Sequence, residues 1–380
     1  MVHEGCDAPH WHAFLALNKS ILIMSKKKSV TFVGQTHSLI VLTLLMATLP
    51  LPATSQLSTG DPVVHSTITD GVDYRVYDRD GKTTTLSAIV DRAIGDEVLL
   101  VGEEHDDMVG HSFQTLLLIE VAERIGSDLG SGRSVILSLE MFERDVQYVV
   151  DEYLAGLITE AHFLRSSRPW EDYANRYRPL VENARELGLP VLAANAPRRY
   201  VNRVTNQGPE SLEQLSGQAR TYLPPLPYRG PSNRYRAQWD TVMAEAMRGI
   251  RSESDTTSFR TDPSAGDENE SRGEEGPAVH ELNPNMIHAQ ALWDASMGYS
   301  ITEALVGHIG AFVLHMAGSF HVEKGTGIQE HILAYRPGTR VTSVVIKKVD
   351  DIEAWSDSEY APLADYVVLT RKPQLSEGGS

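Results

Sequence analysis

Four short apolar runs in this chain each stop abruptly at a polar group, and that arrangement narrows the folds open to it. Val98-Leu99-Leu100-Val101 runs into Gly102-Glu103-Glu104-His105. Val135-Ile136-Leu137-Ser138-Leu139 runs into Glu140, and Val191-Leu192-Ala193-Ala194 into Asn195. Ala311-Phe312-Val313-Leu314-His315-Met316 runs into Gly318-Ser319-Phe320-His321. Runs this short and this continuous, bounded by Gly and acids, suit strands buried on both faces.

Helical spacing fills the intervals. Phe113, Leu116, Leu117, Val121 and Ile125 recur at three and four. Residues 144–166 read as helical with one break near Gly156, and a long amphipathic helix is expected from Trp170 to Leu187, stopped by Gly188. Residues 284–309 and a stretch near Gly327–Leu333 read as further helices. Val341–Ile346 and Tyr366–Leu369 are two more strand candidates. Strands alternating with helices predict an α/β fold: a mainly parallel sheet with helices on both faces. The expected domain covers 97–372, with a smaller helical subdomain at about 143–189 and 198–310. Residues 56–96 are expected to form an extended N-terminal segment, and 373–380 a flexible tail.

Two segments stand apart. Lys26-Lys27-Lys28, the apolar run Leu39–Leu51 and the small-residue triplet Ala53-Thr54-Ser55 follow the order of a secretory signal. Cleavage near Ser55–Gln56 is expected, so residues 1–55 would be signal and upstream extension, and the mature protein periplasmic or extracellular. The apolar run is short for a membrane span, which needs roughly 20 residues; an uncleaved anchor is the alternative. Residues 251–282 hold nine acids against three Arg and almost no bulky apolar side chain. Such a stretch cannot bury enough surface to offset its ordering entropy, and a disordered acidic insertion is expected there.

The formal charge of −17 argues against non-specific nucleic-acid binding. The single cysteine, Cys6, precedes the cleavage site, so no disulfide or cysteine-rich metal site is expected.

In a parallel sheet the C-terminal strand ends point one way, and ligands bind in the crevice there. The four polar groups can therefore meet in one cleft. His105, His321 and Glu140 could hold a divalent metal or poise a water for attack. Glu103, Glu104, Asp106 and Asp107 crowd like charges around His105 and would raise its proton affinity. Each residue also has a plainer reading: a histidine satisfied within the structure, or a glutamate acting as cap or ion-pair partner.

The set Gly102–His105, Leu139-Glu140-Met141-Phe142, Tyr153-Leu154-Ala155-Gly156, Tyr177-Arg178-Pro179-Leu180-Val181-Glu182, Ala193–Arg198, Gln290-Ala291-Leu292-Trp293-Asp294 and Gly318-Ser319-Phe320-His321 resembles the ChaN-like haem-binding family. That family lies within the Tiki and erythromycin-esterase-like grouping. The resemblance implies a parallel α/β sheet with a smaller helical domain, export, and haem binding linked to iron acquisition through an outer-membrane uptake system. It also implies a cofacial pair of haems between two protomers, and so a homodimer. Family members are often lipid-anchored, but no lipobox cysteine is present here. Hydrolases of the wider grouping would place catalytic roles on His105, Glu140 and His321, with Glu104 as a further candidate.

Haem needs an apolar slot, an axial ligand and a cation for its propionates. No Cys-x-x-Cys-His occurs, so attachment would be non-covalent. Tyr173 and Tyr177, four apart with Trp170 one turn before, could offer a tyrosinate or could simply pack a helix on the sheet. Arg198 and Arg199 could pair with propionates, and Asn195 lines the same strand end. A haem carrier and a metal- or His/Glu-dependent hydrolase both remain open at this level.

Overall fold

The computed structural model describes residues 67–126, 132–257 and 283–373. The expected signal, its cleavage site, Cys6, the tail from 374 and residues 258–282 of the acidic insertion lie outside the described residues. The helix Asn233–Thr257 runs into the first residues of that insertion.

Eight strands form one sheet: β1 (Tyr74–Asp78), β2 (Thr83–Thr84), β3 (Val98–Glu103), β4 (Val135–Glu143), β5 (Val191–Asn195), β6 (Phe312–Gly318), β7 (Val341–Val349) and β8 (Tyr366–Arg371). Their order is β2-β1-β8-β7-β3-β6-β4-β5. The strands β3 to β8 run parallel, and β1 and β2 add an antiparallel edge. The four apolar runs are therefore β3, β4, β5 and β6, and β3, β6 and β4 lie side by side at the centre.

The register aligns their ends. Glu103 of β3 pairs with Gly318 of β6, and Leu139 of β4 pairs with Met316 of β6. The chain leaves β3 for β4, on the far side of β6, but leaves β6 for β7, on the far side of β3. The two connections run in opposite directions along the sheet, the strand order of a topological switch point between β3 and β6.

Alternation along the strands sorts the side chains. Leu99 and Val101 of β3, Leu137 and Leu139 of β4, and Leu314 and Met316 of β6 share one core with Phe113, Leu117, Val149, Tyr153, Phe163, Tyr177 and Leu180. Helices between 108 and 186 thus cover that face, and residues 143–189 share the core of the sheet. The helix Met286–Gly307 covers the other face, where Ser296 and Ser300 donate to the Ala194 carbonyl at 3.1 and 3.0 Å. Its Leu292 and Ala295 build a smaller cluster with Val201, Val204, Leu212 and Leu223.

Two local expectations are corrected. The segment 56–96 is not extended throughout: Leu86–Ala93 is a helix burying Leu86, Ile89, Val90 and Ala93, a three-and-four spacing, with Thr85 capping it. The stretch from Trp170 to Leu187 is not one helix but two, Tyr173–Arg176 and Arg178–Glu186, joined at Tyr177. Pro179 has no N–H to give the preceding turn but fits the first turn of a new helix.

Candidate functional site

Three of the predicted residues converge. His105 follows β3, Glu140 lies near the end of β4, and His321 ends the short turn after β6. Glu140 links them. Its Oε2 accepts the Gly318 N–H at 2.8 Å, and its Oε1 stands 3.6 Å from His321 Nε2. A Cβ on Gly318 would come within 3.2 Å of His105 Nε2 and 3.7 Å of Glu140 Oε2, so both side chains lie over that glycine. The β4–β5 register slips between Leu139 and Glu143, an irregularity that re-aims the strand end carrying Glu140.

Each histidine has its own carboxylate, and the two pairs come from opposite faces of the sheet. On the face of Leu99 and Val101, buried Glu103 sits 2.9 Å from His105 Nδ1. Glu103 also accepts from the Tyr177 hydroxyl at 2.5 Å and from Gln114 Nε2 at 2.5 Å. On the other face, Asp294 of the helix Met286–Gly307 lies 2.7 Å from His321 Nδ1 and accepts from the Tyr235 hydroxyl at 2.6 Å. Gln290, one turn earlier, faces His321 Nε2 at 3.1 Å.

The pairs differ in access. His321 is buried, with both ring nitrogens engaged. The His105 side chain is 49% exposed, and Nε2 has no hydrogen-bond partner among the described residues. Trp170 meets its ring edge-on at 4.8 Å.

Electrostatics follow this layout. Burial disfavours the His321 cation, but Asp294 and Glu140 outweigh it and raise its pKa to about 9. His105 is raised as well: partial burial opposes the charge, and the bond to Glu103 overcomes it. Burial would push Glu103 up, yet its bonds to His105, Tyr177 and Gln114 and the nearby His111 hold it below the usual carboxylate range. Tyr177 is driven far above the phenol range, by burial first and by Glu103 next. Beneath the cluster, fully buried His315 contacts Ser138 Oγ at 2.8 Å, and burial lowers its pKa to about 3. It is a neutral, structural histidine.

The structure separates the remaining candidates from this cluster. Glu104 points the other way along the strand alternation, toward the Lys348 N–H at 3.4 Å and Lys347 Nζ at 3.8 Å. Tyr173 is buried with its hydroxyl unpartnered, its ring 6.0 Å from that of Phe163. Asn195 is buried and turns its side-chain oxygen to the Ala196 N–H. Arg199 is committed to Asp145, whereas Arg198 is exposed at the start of the helix Arg198–Gln207. Among the described residues no group of three or more His, Cys, Asp or Glu side chains is placed to hold a metal ion.

Tyr235 and Gln114 complete the site without having been singled out, whereas Glu103 was read only as a charge beside His105, and Gln290 and Asp294 only as part of the resemblance. The signal for Gln290 and Asp294 is their i, i+4 spacing on one helix.

A family model described as haem-binding uptake, Tiki superfamily, ChaN matches residues 89–332. No curated protein matches the sequence significantly. Among solved structures, ChaN of Campylobacter jejuni with cofacially bound haem is similar at 15% identity and a TM-score of 0.54, covering 80% of this chain and 100% of that one. The type III effector HopBA1 gives 11% identity and a TM-score of 0.37, covering 76% and 94%. An erythromycin esterase variant in its open conformation gives 11% identity and 0.38, covering 78% and 83%. The first of these supports the fold assignment.

Proposed function

The chain belongs to the haem-binding uptake family of the Tiki superfamily, ChaN, and from that premise we propose that it binds haem non-covalently in the crevice above Gly318. The carrying observation is that two motifs within the matched region, Gly102–His105 and Gly318–His321, meet on one carboxylate–imidazole cluster whose outer histidine is half exposed. The residues present fit the group in part. His105 offers an unengaged ring nitrogen, Trp170 an aromatic wall, and Arg198 an exposed cation at a neighbouring strand end. Bound haem would supply an iron centre and a cargo for uptake.

The N-terminal order of Lys cluster, apolar run and small triplet supports export, with cleavage near Ser55–Gln56. We place the mature protein in the periplasm or outside the cell, serving an outer-membrane haem uptake system as a carrier that pairs with a second copy. Titration of the purified mature chain with hemin tests the reading. A saturable Soret change at fixed stoichiometry is expected, and its absence would overturn it.

A second reading, a His/Glu-dependent hydrolase, is favoured by one observation: His105 and Glu140 flank the same glycine, one of them accessible. Turnover of esters, amides or peptides that disappears in His105→Ala would support it. No turnover across such a panel would remove it.

A further inference from the structure

We propose that Gln147 stands in for a missing strand: its side-chain amide closes the outer edge of β5 and keeps a second copy of this chain from pairing there. The sheet order leaves two edges, β2 and β5. β2 is two residues long, too short to template a partner. β5 is five residues long, Val191-Leu192-Ala193-Ala194-Asn195, and carries no charge or proline within it to discourage one.

The backbone groups of β5 alternate between two sides. The Leu137 N–H of β4 donates to the Pro190 carbonyl at 3.0 Å, so Pro190 and Leu192 face β4 while Val191 and Ala193 face outward. One residue of a further parallel strand would donate its N–H to the Val191 carbonyl and accept the Ala193 N–H. Gln147 makes both bonds with one side chain. Its Nε2 donates to the Val191 carbonyl at 2.9 Å, and its Oε1 accepts the Ala193 N–H at 2.7 Å.

The placement is built into the chain. The short turn Arg144–Val146 follows β4, and Gln147 opens the helix Gln147–Leu154. Asp151, one helical turn on, accepts from Gln147 Nε2 at 2.9 Å and is the positioning residue. It decides which way the amide faces. Turned over, Oε1 would stand against the Val191 carbonyl and Asp151 Oδ1, oxygens with no hydrogen between them. The partner that an open β5 fits is a second copy, because two such edges pair antiparallel about a two-fold axis and each satisfies the other.

The experiment uses the full purified protein without hemin. In Gln147→Ala the Ala193 amide should exchange with deuterium about tenfold faster than in wild type. The Leu100 amide, in the central strand β3, should keep its rate and so report an intact fold. If Leu100 also speeds up, Gln147→Met, which keeps the length of the side chain, takes the place of the alanine variant. Sedimentation velocity should show self-association beyond that of wild type, and Ala193 should regain protection as concentration rises. An unchanged Ala193 rate would overturn the proposal. Faster exchange without added association would overturn the guarding role, and association that leaves Ala193 unprotected would overturn β5 as the edge that pairs. Asp151→Ala should also speed Ala193 exchange, whereas Asp151→Asn, which keeps an acceptor, should not. Equal rates in those two variants would remove Asp151 from the positioning role.

Discussion

Asp294 Oδ1 lies 2.7 Å from His321 Nδ1, so a carboxylate from the middle of a helix reaches the turn at the end of the central strand β6. Gly327 makes room for the pair. Its φ is +54°, and a Cβ there would come within 2.7 Å of Asp294 Oδ1 and 2.6 Å of the His321 carbonyl. The pair ties the helix Met286–Gly307 to the turn that follows β6.

That pair makes stability depend on pH in a definite direction. The His321 pKa is raised from 6.5 to about 9, by Asp294 and Glu140 against the opposing effect of burial. A histidine raised by folding contributes fully below its unfolded value and loses that contribution as pH climbs through the folded one. Unfolding midpoints in urea should therefore fall between about pH 6.5 and pH 9. His321→Gln should flatten that slope, and an equal slope in wild type and variant would refute the assignment.

Two glycines that begin similar motifs should respond differently to alanine. At Gly102 a Cβ would meet the Ser319 Cα at 2.9 Å, with Val322 and Val345 close by, and backbone cannot step aside. Gly102→Ala should cost about 1–3 kcal/mol of stability. At Gly318 the nearest atoms belong to the half-exposed ring of His105, at 3.2 Å. Gly318→Ala should leave the melting temperature nearly unchanged while weakening hemin binding. The reverse pattern would mean that the glycines have been assigned the wrong neighbours.

Adjacent glutamates offer a sharper contrast. Glu103 is buried and carries bonds to His105, Tyr177 and Gln114. Glu103→Ala would leave these groups unmatched and should cost about 3–5 kcal/mol. Glu104 meets Lys347 only at 3.8 Å, near the surface, and Glu104→Ala should cost about 0–1 kcal/mol. Chemical denaturation of both variants decides between them; comparable losses would contradict the alternation along β3.

This contrast also shows how far the sequence could be read. The four apolar runs were legible as strands because burial on both faces leaves an unbroken signature, and the polar groups at three of their ends, His105, Glu140 and His321, do come together. The face chosen by each polar residue was less so. Glu103 and Glu104 are chemically alike and adjacent, and only the register of β3 with β6 and β7 turns Glu103 inward. Asp294 was harder still, because its partner His321 is set by helix packing and not by any local pattern. Tyr173 and Tyr177 look equivalent on a continuous helix, and the restart before Pro179 divides their roles.

The two tyrosines supply the final prediction. The Tyr173 hydroxyl is buried without a hydrogen-bond partner among the described residues. Removing it takes away a polar group that folding has stripped of water, so Tyr173→Phe should be neutral or stabilising, by up to about 1 kcal/mol. The Tyr177 hydroxyl donates to a buried carboxylate. Tyr177→Phe would leave Glu103 Oε1 short of a donor and should destabilise by about 1–3 kcal/mol. It should also release Glu103 toward a higher pKa, since Tyr177 is one of the groups holding that carboxylate down. A carboxylate lowered by folding contributes stability above its unfolded pKa and loses it as pH falls through the folded one. Acid unfolding of Tyr177→Phe should therefore begin at higher pH than that of wild type, whereas Tyr173→Phe should follow wild type. Coincident acid transitions for all three proteins would show that the Tyr177 hydroxyl does not bear on Glu103.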